Sequence, residues 1–410
     1  MTLAEDLQAR GLIEHTSAEI ETILGEKRTV YLGVDPTADS MQAGNLVVVL
    51  LLKRLADAGH KIVLLVGGGT GMIGDPKEKG ERPLSDVRTV NRNKRALKAQ
   101  MQQILGRRIT VVDNADWLLK IKLVDFLRDI GKHFTINELI KRDIIKRRLE
   151  NPDDSISYTE FAYSLLQGYD YLELNKKYTC DLQVGGSDQW INILSGVELI
   201  RRKEGREAFA LTCPLVTDAN GKKFGKSEGN AVWLSAEKTS PYVFYQFWLN
   251  QSDEVVEKYL KFYTFMSVRE IDFICELHAR TPGKREAQKT LARLVTEIVH
   301  GKEVAAKAIA ASEVLFGDRS LGTLSKDERK VLLKEAPSIT VTPDSLVVDA
   351  LVQSGLATSK TDARRLIEGR GVSISGVIVE QADAPITREQ FENGLALLRR
   401  GKQLSVLQSS

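Results

Sequence analysis

The chain has 410 residues, with 58 basic and 55 acidic side chains and a formal net charge of +3. That length exceeds what a single compact core usually holds, so we expect two or three domains. The near balance of charge excludes a chain that is basic throughout, and any surface for a polyanion must therefore be a local patch.

The first predicted elements alternate between strand and helix over residues 28–113. The patterns predict strands at 29–34, 61–66 and 109–112 and helices at 46–58 and 87–105. This alternation is typical of a parallel sheet, in which ligands bind beyond the carboxyl ends of the strands. The residues just after Val34 and just after Val66 are therefore candidate ligand contacts.

Further regions follow this first group of elements. Residues 115–178 are predicted to be mostly helical, and a strand at 180–184, a helix at 189–202 and a strand at 208–215 return to the sheet. Helical patterns cover 242–312, and two short helices and a β-rich run follow residue 345. We therefore predict an α/β fold with a parallel-sheet domain at 1–235 that contains the helical insertion, a helical domain at 236–320, a linker at 321–344 and a small α+β domain at 345–410.

The cysteines and the apolar runs indicate the cellular setting. The chain has 3 cysteines, at positions 180, 213 and 275, without a C-x-x-C pair, which favours neither a disulfide framework nor a zinc site. The longest apolar run, Leu46 to Leu52, is far shorter than the roughly 20 residues that a membrane-spanning helix needs. Residues 1–25 lack the basic and apolar regions of a signal peptide. We therefore expect a cytoplasmic protein without a membrane span.

The loop between the first predicted strand and helix, residues 35–45, carries the first candidate ligand contacts. Just before it, Gly33 permits a close approach of the backbone to a ligand. Gln42, Gly44 and Asn45 lie at or near the helix N-terminus, where free N–H groups and the helix dipole favour a phosphate. Considered by itself, Asn45 is better explained as an N-cap residue.

A second candidate is the basic loop Lys222-Lys223-Phe224-Gly225-Lys226-Ser227. Its three lysines could converge on one phosphate chain. A run of charge is usually a solvated surface turn, so this motif alone is weak evidence for a site.

Together, the two loops resemble the paired signatures of class I aminoacyl-tRNA synthetases, H-I-G-H after the first strand and K-M-S-K-S in a late loop. Residues 223–227 resemble the second signature, and residues 42–45 occupy the place of the first. Other segments resemble the bacterial-type tyrosyl-tRNA synthetases within this class. These segments are 31–38, 66–76, 183–190 and 241–248.

The resemblance implies a Rossmann-like catalytic domain, an α-helical domain on the anticodon side and a C-terminal domain similar to the S4 RNA-binding fold. It also implies the reaction. L-tyrosine and ATP form tyrosyl-adenylate and pyrophosphate, and the tyrosine is then transferred to the 3′ end of tRNA(Tyr). ATP would bring Mg²⁺, and neither a tightly bound cofactor nor a protein metal site is implied. The family forms homodimers, with residues around Phe161 near the interface.

The resemblance also assigns individual contacts with tyrosine. Tyr31 and Asp170 would bind the phenol hydroxyl group. The remaining contacts would be Asp75, Tyr163 and Gln167 at the α-amino group and Gln189 near the carboxylate. Without the resemblance, Tyr163, Gln167 and Asp170 would more often be a polar stripe on a helix surface. The helix is predicted to be largely buried, which favours a ligand-facing role, because apolar or aromatic residues flank them at Phe161, Leu165, Leu166 and Tyr169.

On the nucleotide side, the resemblance implies both binding and catalytic groups. ATP and the adenylate would contact Gly33, Asp35, Gly44, Gly186, Asp188, Lys226 and Ser227. The departing pyrophosphate would be surrounded by Thr37, Gln42, Lys223 and Lys226. Asn45, which could still reach the nucleotide, and Lys79 and Arg82 on a mobile cationic loop would complete the catalytic set. Because carboxylate attack on the α-phosphate needs no protein nucleophile, these groups would act by positioning and by neutralising charge.

The first signature departs from the family pattern, because Gln42 and Asn45 replace both histidines. A glutamine can still donate an amide hydrogen bond to a phosphate oxygen. Neither replacement can carry a positive charge. We expect the chemistry to survive this change.

The segment 346–376 resembles the S4 RNA-binding fold. Ser359 would cap a helix that carries Lys360, Arg364 and Arg365 near one face, where they could contact RNA phosphates. The tail adds the basic residues Arg399, Arg400 and Lys402. For each single residue, an exposed basic helix face without a partner is the competing interpretation.

A second basic patch lies in the predicted helical insertion. A helix predicted at 136–148 carries the basic residues Lys141, Arg142, Lys146, Arg147 and Arg148. This patch could meet the acceptor stem of the tRNA across a dimer.

Other functions compete with this interpretation. A tryptophanyl-type synthetase is disfavoured by Tyr31 with Asp170 and by the S4-like segment. A relative that binds RNA without catalysis is motivated by the missing histidines, and the intact loop 223–227 argues against it. A Rossmann dehydrogenase is excluded because no G-x-G-x-x-G motif lies between the first strand and the first helix.

Overall fold

A computed structural model describes residues 1–76, 86–106, 109–140, 143–218, 221, 224, 226–227 and 230–410. The helices are α1 (Leu3–Arg10), α2 (Ile20–Leu24), α3 (Leu46–Asp57), α4 (Val87–Leu105), α5 (Ala115–Leu118), α6 (Leu123–Asp129), α7 (Ile136–Leu139), α8 (Asp143–Glu150), α9 (Tyr158–Tyr178), α10 (Trp190–Glu204), α11 (Pro241–Leu249), α12 (Asp253–Tyr263), α13 (Val268–Arg280), α14 (Glu286–His300), α15 (Lys302–Phe316), α16 (Lys326–Glu335), α17 (Val347–Gln353) and α18 (Lys360–Glu368). The strands are β1 (His15–Thr16), β2 (Thr29–Val34), β3 (Lys61–Val66), β4 (Thr110–Asp113), β5 (Cys180–Gly186), β6 (Phe209–Cys213), β7 (Lys226–Ser227), β8 (Asn230–Ala231), β9 (Ser338–Val341), β10 (Val372–Ile374), β11 (Val377–Ile378), β12 (Leu395–Arg400) and β13 (Gln403–Ser409). Within these ranges, no helix combines the length and the apolar character that crossing a bilayer requires.

Among the described residues, six strands form the main sheet in the order β1-β6-β5-β2-β3-β4. β1 runs antiparallel to β6, and the other neighbouring strands run parallel. Most positions of β2, β3 and β6 are buried, as a parallel sheet covered on both faces requires. The structure therefore confirms the predicted α/β class and its parallel sheet.

The order of the strands places a crevice at the centre of the sheet. The chain runs from β2 outward through β3 and β4, and β5 then returns to the opposite side of β2. The helical connections therefore diverge between β2 and β5, which leaves a gap at the carboxyl ends of these two strands. Ligands of open parallel sheets bind at this kind of reversal.

Helix α3 fixes the loop that leads out of β2. Leu46, Val47, Leu50 and Leu51 are all buried, because a helix that is apolar on nearly every side must be enclosed. Strands of the sheet and helices α4 and α12 enclose it. The start of α3, and with it the end of the loop 35–45, is thereby fixed against the sheet.

The insertion between β4 and β5 is helical, as its sequence pattern predicts. The helix predicted at 136–148 is wrong in its extent, because α7 ends at Leu139 and α8 begins at Asp143. Lys141 and Arg142 lie outside the described residues. Arg148 does not belong to a surface patch, since its side chain is only 2% exposed. It pairs with Glu160 at 3.1 Å and with Asp154 at 3.2 Å.

The chain divides into two compact units, one with residues 1–239 and 251–291, the other with 240–250 and 292–410. Within the second unit, α11 packs on α15, and Gln246 Nε2 donates to Ser312 Oγ at 2.8 Å. Its described strands form a sheet in the order β11-β10-β12-β13-β9. β9 pairs in parallel with β13 although it lies in the predicted linker 321–344. This strand extends the C-terminal sheet beyond the predicted start of that domain at 345.

We predict that Arg148→Met lowers the free energy of unfolding by about 3 kcal/mol, because Glu160 would then keep a buried charge without its partner. Urea unfolding followed by circular dichroism measures this change. Lys146→Met removes an exposed cation from the same helix, and we expect it to stay within about 0.5 kcal/mol of the parent. Equal effects of the two substitutions would contradict a buried ion pair.

Candidate active site

A cavity of about 570 Å³ lies at the carboxyl ends of β2 and β5. It brings together most of the site residues predicted from the sequence. Those that line it are Tyr31, Gly33, Asp35, Thr37, Gln42, Gly44, Asn45, Asp75, Tyr163, Gln167, Asp170, Gly186, Asp188 and Gln189. The reversal of strand order therefore gathers side chains that lie far apart in the sequence.

Several predicted contacts cannot be placed in this cavity. Lys79, Arg82 and Lys223 lie outside the described residues. Lys226 and Ser227 are described through their backbone, which forms β7 and pairs with β8. Their roles as nucleotide contacts stay predictions.

Asp170 forms the floor of one end of the cavity. Its side chain is almost fully buried, and its Oδ1 accepts a hydrogen bond from Trp117 Nε1 at 2.7 Å. Its Oδ2 accepts from Asn114 Nδ2 at 2.9 Å. Burial raises the pKa of the Asp170 carboxyl to about 8, against the opposing effect of these two donors. The group is therefore poised to ionise near neutral pH.

Buried polar atoms without a partner line the cavity. Within the described part of the chain, Tyr31 Oη, Gln167 Oε1 and Gln183 Oε1 are buried and make no hydrogen bond. Tyr31 and Gln183 are neighbours in register on β2 and β5. Leaving a buried polar group unpaired costs about 1–3 kcal/mol, so these atoms indicate a polar ligand in the cavity.

Asp35 is held at the end of β2 by two hydroxyl groups. Thr70 Oγ1 donates to its Oδ1 at 2.6 Å, and Tyr163 Oη donates to its Oδ2 at 2.8 Å. A side chain at Gly67 would collide with this carboxylate, since its Cβ would lie 2.1 Å from Asp35 Oδ1. The glycine-rich turn after β3 is therefore required for the close approach of Asp35.

Asn114 connects the two carboxylates. Besides its bond to Asp170, its Nδ2 donates to Thr70 Oγ1 at 2.8 Å, and its Oδ1 accepts from Gly69 N at 2.7 Å. Asn114 directly follows β4 and is fully buried. A continuous polar path thus runs from Asp170 to Asp35.

A second network orders the opposite wall. Gln189 Nε2 donates to Asp75 Oδ2 at 3.0 Å, and Asn192 Nδ2 donates to Gln189 Oε1 at 3.1 Å. Ser164 Oγ on α9 donates to Asn192 Oδ1 at 2.8 Å. The Asp75 carboxylate is therefore fixed at the cavity wall by amide donors, where it can accept a bond from a cationic ligand group.

The segment in place of the first signature pairs with a strand-like segment close to the second. Ala43 N donates to Val232 O at 2.8 Å, and Leu234 N donates to Met41 O at 2.9 Å. A Cβ at Gly44 would lie 2.8 Å from Phe224 O, so only glycine permits this contact. Gly44 and Phe224, one from each signature segment, are thus adjacent at the cavity.

The explanation of Asn45 as an N-cap residue is wrong, because the predicted capping hydrogen bond is not made. Asn45 directly precedes α3, but its side chain makes no capping bond to that helix. Its Oδ1 instead accepts from Gln42 N at 3.3 Å. Asn45 therefore stabilises the turn that carries Gln42, and both residues line the cavity.

The predicted RNA contacts of the C-terminal domain are mostly exposed. Ser359 caps α18 as predicted, with Asp362 N donating to Ser359 Oγ at 3.1 Å. Lys360 pairs with Asp349 at 2.6 Å and Arg365 pairs with Asp362 at 2.9 Å, whereas Arg364 is exposed beside them. In the insertion, Lys146 and Arg147 are exposed on α8.

The basic tail is not the free cationic surface that its sequence suggests. Arg399 donates to Leu315 O at 2.9 Å, and Arg400 donates to Leu356 O at 2.7 Å. Both side chains are about half-buried, and Lys402 is exposed. Arg399 and Arg400 are therefore committed to contacts inside the second unit.

Sequence reasoning missed four polar residues of the site: Asn114, Trp117, Thr70 and Gln183. A usable signal existed for Asn114, which is the first residue after a strand of the parallel sheet. No local signal marks Trp117, because an indole next to apolar residues ordinarily belongs to a core. Gln183 lies within a strand, where its orientation toward the cavity depends on the register with β2.

Comparison with known protein families covers nearly the whole chain. Residues 25–317 match the family "tRNA synthetases class I (W and Y)", and residues 328–407 match the family "Tyrosine--tRNA ligase SYY-like C-terminal domain". The first of these matches alone covers well over half of the chain.

Individual relatives agree with these families. The chain is 46% identical to a tyrosine–tRNA ligase of Anaeromyxobacter dehalogenans, with 98% of this chain and 97% of that protein covered. It is 47% identical to tyrosine–tRNA ligase 1 of Vibrio parahaemolyticus over the same shares of the two chains.

Solved structures share the fold. A C-terminally truncated mitochondrial tyrosyl-tRNA synthetase of Aspergillus nidulans matches with a TM-score of 0.69 and 30% identity, covering 77% of this chain and 94% of that one. A tryptophanyl-tRNA synthetase of Plasmodium falciparum matches with a TM-score of 0.54 and 14% identity, covering 80% and 89%, which shows the fold alone. On the sequence matches, the chain belongs to the tyrosine–tRNA ligase family of class I tRNA synthetases.

Proposed function

We propose that this chain activates L-tyrosine with ATP, forming tyrosyl-adenylate and pyrophosphate, and transfers the tyrosine to tRNA(Tyr). Family membership supports the reaction. The observation that carries the substrate is the presence of Tyr31 and Asp170 in one cavity that is also lined by Gly44 and Phe224 of the two signature segments.

The phenol group of tyrosine would supply hydrogen-bond partners for unpaired polar atoms of the cavity. Its hydroxyl hydrogen would be donated to Asp170, and its oxygen would accept from Tyr31 Oη, which has no other partner in the described ranges. Phenylalanine would leave both groups unsatisfied, which disfavours its binding. The Gln183 amide lies next to Tyr31 and adds a further polar contact at this end.

The α-amino group would bind at the opposite wall. Asp75 supplies the carboxylate, and Gln167 Oε1 is a buried acceptor that lacks a partner among the described side chains. Tyr163 donates to Asp35 and would contact the amino group through its oxygen. Gln189, held by Asn192, would lie near the substrate carboxylate.

The nucleotide would lie between the ends of β2 and β5. Gly33, Asp35, Gly186 and Asp188 line this part of the cavity and would contact the adenylate. At the phosphates, Thr37 and Gln42 offer neutral donors, and the cations would come from Lys79, Arg82, Lys223 and Lys226. ATP would carry Mg²⁺ with it, because this ion commonly binds through substrate phosphates and keeps several waters.

The tRNA that accepts the tyrosine would contact basic residues of both units. Lys360, Arg364 and Arg365 on α18 and Lys146 and Arg147 on α8 are exposed cations that fit RNA phosphates. A cytoplasmic location is part of this proposal, since Cys180, Cys213 and Cys275 are all free thiols, which suits a reducing compartment.

The helical insertion also supports a homodimer. Large apolar side chains are exposed on it, including Leu119 at 65%, Leu123 at 72%, Val124 at 72%, Ile136 at 67% and Tyr158 at 71%. Apolar surface concentrated in one segment marks an interaction site, and a second copy of the chain would bury it.

The reaction is tested by tyrosine-dependent exchange of pyrophosphate into ATP. We expect exchange with tyrosine and none above background with phenylalanine or tryptophan, because only tyrosine satisfies Tyr31 and Asp170. Exchange with tryptophan alone would instead assign the chain a tryptophanyl-type activity. Absence of exchange from folded protein that still binds tRNA would show that Gln42 and Asn45 do not support catalysis, leaving an RNA-binding relative.

The pH dependence of stability tests the buried state of Asp170. A carboxyl group with a pKa of about 4 in the unfolded chain and about 8 in the folded one makes its full contribution to the stability of the fold below pH 4. This contribution is lost as the pH rises toward 8. We therefore expect the ligand-free chain to lose stability relative to Asp170→Asn between pH 5 and 8, and the difference to level off above pH 8.

Chemical unfolding at each pH measures this difference. Asp116→Asn is the matched control, because it removes an exposed carboxylate close to Asp170's partner Trp117 in sequence. Its stability should run parallel to that of the parent chain over the whole pH range. Parallel curves for Asp170→Asn as well would show that Asp170 titrates normally.

The dimer is tested by sedimentation of an interface variant. We expect Leu123→Glu to dissociate the dimer, because a charge would have to be buried in an apolar interface. Lys122→Glu changes charge at the preceding exposed position and serves as control. A variant that sediments like the parent chain would remove the insertion from the interface.

A further inference from the structure

The C-terminal domain has an apolar core of its own. This core includes Val347, Leu351, Ile374, Leu398 and Leu407, and all of its described members lie at or beyond residue 341. Helices α15 and α16 of the same unit contribute nothing to it. The opposite face of its sheet is also buried, at Leu395, Leu397 and Val406, and polar contacts with the helical part of the unit add to this packing.

One set of these polar contacts comes from a tight turn of the domain. Glu392 and Leu395 pair through two backbone hydrogen bonds of 2.8 and 3.0 Å across Asn393 and Gly394. Both central residues have positive φ, 53° at Asn393 and 79° at Gly394, as a type I′ turn requires. The turn is rigid and holds Glu392 and Asn393 in a fixed direction.

This turn is hydrogen-bonded to the connection between α15 and α16. The Glu392 carboxylate accepts from Gly322 N at 2.5 Å and from the Ser320 hydroxyl. Asn393 Nδ2 donates to Gly322 O at 2.8 Å, and Arg329 on α16 donates to Asn393 O at 3.3 Å. Both backbone groups of Gly322 are thus bound by the turn.

A second contact lies at the end of α15. Arg399 on β12 donates to Leu315 O at 2.9 Å and to Val314 O at 3.4 Å. The last carbonyls of a helix lack partners within it and carry partial negative charge, which a guanidinium complements. Two separated contacts restrain rotation of the domain more strongly than one.

We propose that Glu392, Asn393 and Arg399 form a clasp that fixes the orientation of the C-terminal domain on α15 and α16 and so positions its RNA-binding helix for tRNA. The inference rests on the proposed function, in which that domain binds tRNA. The three residues are positioning residues, since none of them lies in the cavity that would hold tyrosine and ATP.

The decisive variant is Glu392→Ala in the full chain. Loss of the Glu392 hydrogen bonds loosens the orientation of the domain, and we expect the KM for tRNA in aminoacylation to rise about 10-fold, as expected for the loss of charge-assisted hydrogen bonds. The rate of tyrosine-dependent pyrophosphate exchange should not change. Direct electrostatics predict the opposite sign, because removing a negative charge strengthens attraction to RNA.

Glu389→Ala is the matched control, because it removes the same charge from an exposed position three residues away. We expect it to leave the KM for tRNA unchanged or slightly lower. A KM that stays constant or falls in Glu392→Ala, with exchange intact, would overturn the clasp. Absence of exchange in the parent chain would instead overturn the proposed function.

A distance measurement tests the clasp without any activity. Spin labels at Lys330→Cys on α16 and Val377→Cys on β11, in a Cys275→Ser background, report the distance between helix and domain. We expect a narrow distribution in the parent chain and in Glu389→Ala and a broad one in Glu392→Ala. A broad distribution in the parent, or equal widths in all three, would show that the turn does not fix the domain.

Discussion

A carboxyl group inside an apolar cluster must be hydrogen-bonded or protonated. The buried Asp170 therefore requires hydrogen-bond partners among the residues around it. Asn114 and Trp117 meet the constraint from the segment after β4. Asn114 in turn binds Thr70, and Thr70 binds Asp35 at the end of β2. The hydrogen-bonded path therefore links the edge strand β4 with the central strand β2. A movement of the Asp170 carboxylate changes the hydrogen bonding of the Asp35 carboxylate, and the reverse also holds.

The sheet provides the frame in which this path can form. β2 lies between β3 and β5, so the loops after all three strands converge on one crevice. Gly67 allows the turn after β3 to approach Asp35, and Gly44 allows the first loop to approach the backbone of Phe224. Phe224 packs between the rings of Tyr259 and Tyr263 on α12, at centroid distances of 4.8 and 5.9 Å. A buried aromatic anchor thus holds one point of the basic loop against the body of the first unit.

The sequence predicted the parts of this arrangement that follow from periodicity and strand ends. The strands at 29–34 and 61–66 and the helix at 87–105 agree with the structure, because short apolar runs mark the two strands and buried residues at helical spacing mark the helix. The ends of parallel strands meet at one edge, which predicted ligand contacts just after Val34 and Val66. The resemblance to the class I synthetases supplied the other cavity residues, among them Tyr163, Gln167 and Asp170. Trp117 and Gln183 were not, since their roles arise from contacts with residues far away in the sequence. Arg148, Arg399 and Arg400 have basic side chains that look solvated in sequence, and only the fold supplies their carboxylate and carbonyl partners.

The backbone pairing of Met41 and Ala43 with Val232 and Leu234 has a consequence for synthesis of the chain. Strands β2 to β4 leave the ribosome long before residue 234 is made, and a nascent chain begins to fold from its N-terminal side. Until residue 234 has emerged, the loop after β2 lacks these backbone partners, and one wall of the cavity is incomplete. A chain that is released before residue 234 contains the strands of the main sheet that precede that point but not the backbone pairing that completes the cavity, so the site depends on late-synthesised residues although its sheet forms from early ones.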